Sequence, residues 1–205
     1  MPKAWIQDRK RDYYYKKAKQ EMYRSRAAYK LFEAIKRYHF IEYRDVVIDL
    51  GAAPGGWMQA ARKTVGNKGF VLGVDLKEIE PFPQPYVKTI ICDLTEPETV
   101  QQILEMLPRK ADAVISDASP NISGIWEVDH ARQLDLAQRA LEIALQTLRP
   151  SGSIFVKVFQ GDMFSDFLQK IKKNFESVTV VKPKASRPKS AEIYLLARGL
   201  KEQDV

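Results

Sequence analysis

The sequence has few residues of the kinds that form disulfides and metal sites. Its 205 residues include one cysteine and two histidines. The single Cys92 excludes an internal disulfide, and its place in an apolar segment is typical of a core residue. His39 and His130 both lie in predicted helices and provide no cluster of metal ligands. We therefore expect no metal site.

Long apolar segments are also missing. The sequence contains no apolar run of about 18 residues that could span a bilayer and no signal peptide with an Ala-x-Ala site. We expect a cytoplasmic protein without a membrane partner. Because 45% of the residues are hydrophobic, the chain can bury the core of a single globular domain.

The glycine spacing of a dinucleotide-binding loop is absent as well. The segment DLGAAPGGW, Asp49 to Trp57, follows an apolar strand and opens a helix. Its glycines allow the backbone to approach a ligand closely, but they do not form the G-x-G-x-x-G pattern that seats a pyrophosphate. Pro54 removes one N–H donor from the loop. The loop therefore predicts a ligand without phosphates.

Positive charge is present mainly at the amino terminus. The net charge is +7, and the first 30 residues account for all of it, with ten Lys or Arg against three acidic residues. Aromatic residues are interspersed at Trp5, Tyr13, Tyr14, Tyr15, Tyr23 and Tyr29. RNA-binding surfaces combine phosphate neutralisation with base stacking, so we expect a polyanion as partner. The alternative is a solvated basic tail, in which these aromatic rings would have nothing to pack on.

Apolar segments of strand length alternate with segments of helical period from Val46 onward. The predicted strands are residues 46–51, 70–76, 87–94, 111–118, 152–159, 177–183 and 191–199, and the longest predicted helix is residues 129–148. This alternation is typical of a parallel sheet with helices on both faces. The seven residues KASRPKS between the last two strands are too few for a helical crossover, so those strands should be antiparallel. The pattern predicts an α/β fold, Rossmann-like, with a seven-stranded, mostly parallel sheet and an antiparallel last strand, as in S-adenosylmethionine-dependent methyltransferases.

Two acidic residues follow successive predicted strands. Asp75 ends the second strand, where such folds place a carboxylate that accepts ribose hydroxyls, and Asp93 ends the third, where it can meet an adenine amino group. Each residue alone could be a turn or cap residue. Together with the glycine loop they suit S-adenosylmethionine, which has a ribose and an adenine but no phosphate.

Two patterns of other methyltransferases are missing, which narrows the acceptor atom. Cys92 is not preceded by proline, which argues against a cysteine-nucleophile cytosine methyltransferase. SDASPN, Ser116 to Asn121, is not the Asn/Asp-Pro-Pro-Tyr/Phe loop of amino-group methyltransferases. An oxygen acceptor remains.

Lys157 stands in the middle of the apolar segment GSIFVKVF. It could belong to an edge strand and reach water with its amino group. Alternatively it faces the edge of the sheet where Asp117 follows the fourth strand and Glu192 opens the last one, with Lys30 on the helix before the first strand. In that case Lys157 acts either as a base that takes the proton of an attacking hydroxyl or as a charge that stabilises the developing alkoxide.

Five motifs are similar, in order and spacing, to one family. YRSRAAYKL, DLGAAPGGW, SDASPN, VKVFQG and KPKASRPKSAEIY resemble the FtsJ/RrmJ family of ribosomal RNA 2′-O-ribose methyltransferases, over about Asp12 to Gly199. One departure is Met22, where many relatives have glycine. The resemblance implies a catalytic tetrad of Lys30, Asp117, Lys157 and Glu192. It also implies that S-adenosylmethionine is bound by Gly51, Ala53, Pro54, Gly55, Gly56, Trp57, Asp75, Asp93 and Asp117.

The same resemblance implies an RNA substrate, a uridine ribose of large-subunit ribosomal RNA, either within the ribosomal subunit or as free RNA. Separately, we expect a monomer. Residues 1–30 would form an RNA-binding arm and helix, and 31–205 the methyltransferase domain. The predicted RNA-binding residues are Arg9, Lys10, Arg11, Lys16, Lys17, Arg24, Arg26, Lys182, Lys184, Arg187 and Lys189. Three alternatives are a transfer RNA methyltransferase, a non-catalytic ribosome-assembly factor that binds RNA and a nicotinamide-dependent oxidoreductase.

Overall fold

The computed structural model describes residues 13–187 and 190–202. Six α-helices are present in these ranges: α1 (Tyr13–Gln20), α2 (Ala28–Tyr38), α3 (Gly56–Val65), α4 (Thr99–Met106), α5 (Trp126–Thr147) and α6 (Phe164–Asn174), with a 3-10 turn at Gly66–Lys68. The strands are β1 (Val46–Leu50), β2 (Phe70–Asp75), β3 (Val87–Ile91), β4 (Ala111–Ser116), β5 (Leu148–Phe159), β6 (Phe175–Val181) and β7 (Glu192–Leu200). This order of elements confirms the predicted α/β fold.

All seven strands form one sheet in the order β3-β2-β1-β4-β5-β7-β6. The pairs β1 with β2 and β4, β2 with β3, and β4 with β5 are parallel, whereas β7 pairs antiparallel with both β5 and β6. The prediction of an antiparallel last strand is thus confirmed. Every residue of β1 and of β4 is buried, which explains their continuous apolar character.

Helices cover both faces of the sheet. On one face, Ile154, Val156 and Val158 of β5 share a core cluster with apolar residues of α5. On the other face, Phe155 of β5 and Tyr194 of β7 share a cluster with residues of α2 and α3. Alternate residues of β5 therefore face opposite layers, and both layers have to be covered.

Several strands end earlier than the sequence predicts. β3 ends at Ile91 and β4 at Ser116, whereas the prediction extended them to residues 94 and 118. The carboxylate of Asp93 accepts hydrogen bonds from the N–H of Thr95 (2.9 Å) and from its hydroxyl (2.7 Å), which closes a turn in place of strand pairing. The buried Cys92 confirms the expected core position. Asp93 and Asp117 therefore lie in the turns beyond the strands.

The ends of α5 also differ from the prediction. The helix begins at Trp126 and ends at Thr147, not at residues 129 and 148. Asp129 lies inside its first turn, and its carboxylate accepts hydrogen bonds from the N–H groups of Ser123 (2.7 Å) and Gly124 (3.0 Å). β5 then starts at Leu148. Its pairing with β4 is irregular between Leu148, opposite Ala111, and Ser153, opposite Ala113, and Ser151 in this stretch has a positive φ of 63°. His39 follows α2 as its left-handed C-cap and is not inside the helix.

The described part of the amino-terminal segment packs on the rest of the chain. Tyr14, Tyr23 and Tyr29 form a small cluster with Ala18 of α1 and Ala185 of the loop before β7. The boundary predicted between residues 30 and 31 falls inside α2. In the described ranges no helix is both long and apolar enough to cross a membrane.

Candidate active site

The residues predicted to act in catalysis come together at the edge where the parallel strands end. Asp117 follows β4, Lys157 lies near the end of β5, and Glu192 begins the antiparallel β7. Lys30 reaches the same place from α2. A cavity of about 590 Å³ opens beside them. The side chains and loops that line it are Gly51, Ala53, Asp75, Leu76, Lys77, Asp93, Leu94, Thr95, Asp117, Ala118, Ser119, Pro120, Asn121, Arg132, Asp135 and Leu136.

Asp117 links the two lysines. Its Oδ1 lies 3.2 Å from Nζ of Lys157, and its Oδ2 lies 3.9 Å from Nζ of Lys30. Lys157 also donates hydrogen bonds to the carbonyl oxygen of Asp117 (2.6 Å) and to Oγ of Ser119. Three oxygen atoms thus surround the Lys157 amino group, and they match the three N–H bonds of an ammonium group.

Lys157 is buried, with 4% of its surface exposed. Its strand lies between β4 and β7 in the middle of the sheet, so the alternative of an edge strand with a lysine in water is wrong. Burial by itself would raise the pKa of Asp117, but the nearby charges of Lys157 and Lys30, with a hydrogen bond from Tyr194, lower this pKa below its usual range. Asp117 is therefore an anion that compensates two cations.

Glu192 holds the second lysine. Its Oε1 lies 2.7 Å from Nζ of Lys30 and accepts a hydrogen bond from the Ser186 hydroxyl at 2.8 Å. Lys30 is buried as well. The four predicted catalytic residues therefore form one cluster of two cations and two anions, in which each charge has an opposite charge within 4 Å.

Tyr194 is a fifth member of this cluster that the sequence reasoning missed. Its hydroxyl donates to Oδ1 of Asp117 (2.8 Å) and accepts from Nζ of Lys30 (3.0 Å). Burial, with the negative charges of Asp117 and Glu192, raises the pKa of this phenol well above its usual value, so it stays a hydrogen-bond donor. A signal was available, since Tyr194 lies two residues after Glu192 on a strand and therefore on the same face.

The predicted cofactor residues divide into two groups. Gly51, Ala53, Asp75, Asp93 and Asp117 line the cavity. Pro54, Gly55, Gly56 and Trp57 are not among its lining residues. The indole of Trp57 is buried and stacks on Phe155, with ring centroids 5.6 Å apart, and its Nε1–H donates to the carbonyl of Ala27 at 2.8 Å. The Trp57 side chain therefore joins the core and does not face the cavity.

The space that a side chain at Gly55 or Gly56 would fill is occupied by residues of the segment before α2. A Cβ on Gly55 would lie 2.8 Å from the guanidinium of Arg24, and a Cβ on Gly56 would overlap Oγ of Ser25. Arg24 in turn donates to the carbonyl oxygens of Glu80 (2.6 Å) and Pro81 (3.2 Å). The two glycines therefore let the segment before α2 lie against the first turn of α3.

The predicted RNA-binding residues also differ in their placement. Arg9, Lys10, Arg11 and Lys189 lie outside the described residues. Arg24 is engaged as above, Arg26 donates to the carbonyl of Ala185, and Lys182 donates to the carbonyls of Ser190 (2.6 Å) and Glu192. Lys17 lies near Glu21 and over the ring of Tyr29. Four of the predicted RNA-binding residues are exposed: Lys16, Lys182, Lys184 and Arg187.

Asp49 is a second residue that the sequence reasoning passed over. It lies in β1 just before the glycine loop, has 1% of its surface exposed and forms no hydrogen bond through either carboxyl oxygen. Burial raises its pKa well above the usual value, and the charges of Asp117 and Asp75 add to this shift. The backbone N–H of Met58 lowers the pKa of Asp49 in part, although it does not form a hydrogen bond to the carboxyl group. The surroundings of Asp49 therefore favour the protonated form of its carboxyl group.

No group of three or more His, Cys, Asp or Glu side chains suited to a metal ion is found within residues 13–187 and 190–202. The charged cluster at the sheet edge consists of lysine and carboxylate groups that are paired with each other.

A mostly parallel seven-stranded sheet with an antiparallel β7, and a cavity lined by acidic residues beyond β2, β3 and β4, defines the class of Rossmann-like methyltransferases. Within this class, the FtsJ-like methyltransferase family matches residues 23–200, and the chain belongs to that family.

The chain is similar to curated proteins named ribosomal RNA large subunit methyltransferase E. The one from Methanocaldococcus jannaschii is 50% identical over 199 residues, 96% of this chain and 81% of that protein. The one from Methanothrix thermoacetophila is 54% identical over 190 residues, 93% of this chain and 73% of that protein. A crystal structure from Plasmodium falciparum, described as a ribosomal RNA methyltransferase, matches with a TM-score of 0.79 at 28% identity, covering 88% of this chain and 100% of that chain.

Replacing Gly56 with alanine should destabilise the protein. The added Cβ would overlap Ser25 Oγ and lie 3.1 Å from Ser25 Cβ, and overpacking of this kind typically costs about 1–3 kcal/mol. We expect the thermal unfolding midpoint to fall by about 2–4 °C for each 1 kcal/mol. The double variant Ser25→Gly/Gly56→Ala should regain most of the loss, because it removes the overlapping atoms. Equal loss in the single and double variants would contradict this contact.

Replacing Asp49 with asparagine should stabilise the protein at neutral pH. A raised native pKa means that the native state binds more protons than the unfolded state, so the stability of the wild type falls as pH rises above the usual aspartate pKa of about 3.9. Asparagine lacks this dependence. Thermal unfolding at several pH values should show that the stability of Asp49→Asn relative to the wild type increases as pH rises from about 4 to 7. A difference in stability between Asp49→Asn and the wild type that does not change with pH would contradict the raised pKa of Asp49.

Proposed function

We propose that the chain transfers a methyl group from S-adenosylmethionine to a ribose 2′-hydroxyl of large-subunit ribosomal RNA. The observation that carries this proposal is the buried Lys157, held by Asp117 and Ser119 at the rim of the cavity. A buried lysine costs free energy unless it is paired. Its position beside a ligand-sized cavity is typical of a residue kept for chemistry.

The cavity suits S-adenosylmethionine by its donor set. Asp75 and Asp93 provide carboxylate oxygens that can accept hydrogen bonds from ribose hydroxyls and the adenine amino group. Leu76, Leu94 and Leu136 add apolar surface for the adenine ring. The Asp75 carboxylate is held in place by the N–H groups of Ala53 and Lys77, each at 2.9 Å. When bound, S-adenosylmethionine supplies an electrophilic methyl group.

Lys157 would first release one ammonium proton to solvent. As the neutral amine it would then take the proton of the 2′-hydroxyl while that oxygen attacks the methyl group and S-adenosylhomocysteine leaves. Removal of this proton by a positioned base contributes about 10²- to 10⁴-fold in rate. The three oxygen acceptors around Nζ stabilise the ammonium group that results. Lys30 holds the Asp117 carboxylate from its other side and keeps it oriented toward Lys157. Tyr194 donates to the same carboxylate and restricts it further.

The RNA substrate is supported by the relatives and by the basic surface beside the cluster. The curated relatives are named as methyltransferases of large-subunit ribosomal RNA. The basic loop before β7 is attached to α2, since the N–H of Lys184 donates to Glu33 at 2.8 Å and Ala185 packs on Tyr29. The exposed Lys184 and Arg187 therefore lie on an element that contacts the helix carrying Lys30, as a groove for a phosphate backbone requires.

The proposal is tested by mapping 2′-O-methyl groups in ribosomal RNA from cells with and without the protein. At least one position in large-subunit RNA should lose its methyl group in the deletion strain and regain it with the wild-type gene. The variant Lys157→Met, which keeps the length of the side chain, should not restore it. The matched variant Lys88→Met, at an exposed lysine of β3, should restore it fully.

Purified Lys157→Met should still bind S-adenosylhomocysteine in calorimetry, since Lys157 is not among the residues that line the cavity. An unchanged methylation map in the deletion strain would contradict the proposed substrate. Restoration by Lys157→Met would contradict the catalytic role of the lysine.

A further inference from the structure

The loop between β4 and α5 carries an exposed apolar group that the proposed reaction does not use. Its first residues, Ser119 to Asn121, line the cavity. Beyond them Ile122, Ile125 and Trp126 are exposed, and 46% of the Trp126 surface is accessible. Exposed tryptophans are uncommon on soluble proteins unless they contact a partner.

The ring of Trp126 is held in a fixed orientation. It is nearly parallel to the ring of His130, with centroids 5.5 Å apart at 20°, and to that of Phe159, at 6.1 Å and 17°. His130 is itself buried. A Cβ on Gly161 would lie 2.6 Å from Nε2 of His130, so the backbone of the turn after β5 packs on the His130 ring. These contacts restrict the orientation of the Trp126 ring before any partner binds, while 46% of the residue's surface remains accessible.

The loop before the tryptophan is fixed by Asp129, one turn into α5. Its carboxylate accepts hydrogen bonds from Ser123 N–H at 2.7 Å, Ser123 hydroxyl at 2.8 Å and Gly124 N–H at 3.0 Å. These hydrogen bonds contribute to the lowered pKa of Asp129, so the carboxylate is charged at neutral pH. The hydrogen bonds to Asp129 therefore hold the loop residues that precede Trp126 in place.

The loop and its tryptophan are connected to the charged cluster at two points. Phe159, on which Trp126 stacks, lies two residues after Lys157 on β5, so the two side chains leave the strand on the same side. Phe159 is also the direct cross-strand partner of Glu192. At the other end of the loop, Ser119 accepts a hydrogen bond from Lys157. Trp126 is therefore connected to the reactive lysine through both the strand and the loop.

We propose that Trp126 is a stacking platform for an unpaired nucleobase of the RNA, next to the ribose that reacts at Lys157. This inference rests on the proposed function and identifies how the substrate is positioned. A ribose hydroxyl can reach a lysine recessed in the sheet edge only if its nucleotide is drawn out of a duplex. Bases freed in this way stack on exposed aromatic rings. Trp126, with Phe159 and His130 against it, supplies such a ring beside the reacting group.

The test uses three replacements of Trp126 in the purified chain with large-subunit ribosomal RNA from cells that lack the protein. Trp126→Ala and Trp126→Leu should raise KM for RNA by about 5- to 100-fold, the range for loss of one stacked base. Trp126→Phe keeps a ring and should stay within about threefold of the wild type. The single-turnover rate at saturating RNA and the affinity for S-adenosylhomocysteine should change much less. Tyr43→Ala is the matched control, an aromatic residue that is 54% exposed on the loop before β1.

Each outcome decides between explanations. If the wild type methylates the RNA but Trp126→Leu and Trp126→Phe have equal KM, the platform is wrong, and this comparison also holds if Trp126→Ala fails to fold. If Trp126→Leu loses activity only on ribosomal particles and not on free RNA, the ring contacts a ribosomal protein and the proposal is overturned. If the wild type methylates neither free ribosomal RNA nor ribosomal particles, the proposed function fails, whatever the variants do.

Discussion

Two lysines buried at the carboxyl edge of the sheet, Lys30 and Lys157, share the carboxylate of Asp117, and the positions of four elements depend on this shared charge. An ammonium group taken out of water is stable only when it is paired and hydrogen-bonded. Asp117 and Glu192 together balance the two cations, and Tyr194 joins them by hydrogen bonds. Because the partners come from α2, the end of β4, β5 and β7, the pairing fixes the distances among these elements. Removing any one of the four charged side chains leaves a buried charge without full compensation.

The same constraint gives a structural role to the glycine loop. Lys30 reaches the cluster only if α2 is held over the sheet edge. The segment before α2 is held there by close contact of Arg24 and Ser25 with Gly55 and Gly56, and by the hydrogen bond from Trp57 to Ala27. The loop that borders the cavity and the helix that carries Lys30 therefore form one packed unit. The cavity and the cluster that holds Lys30 depend on the same contacts between the glycine loop and the segment before α2.

The sequence was sufficient for the features that follow from strand order. The strand ends and the antiparallel β7 placed Asp117, Lys157 and Glu192 at one edge, because parallel strands end together. It was not sufficient for contacts between distant segments, such as that of Ser25 with Gly56, since no periodicity reveals which residues fill the space beside a glycine. Trp57 was assigned to the cofactor because of its place in the loop, yet helix geometry turns it to the core. Asp49 had the same signal as Lys157, a charged residue within an apolar strand, and was overlooked.

The central claim, that the Asp117 carboxylate holds Lys157 ready for reaction, is tested most directly by the single-turnover rate of Asp117→Asn at saturating cofactor and RNA. Asparagine keeps the size of the side chain and its backbone carbonyl, and it removes only the charge that faces both lysines. We expect the rate to fall by about 100-fold or more in a variant that remains folded by circular dichroism, because Lys157 loses the carboxylate that holds it and a positioned base contributes at least this factor. A rate within a few-fold of the wild type would contradict the account.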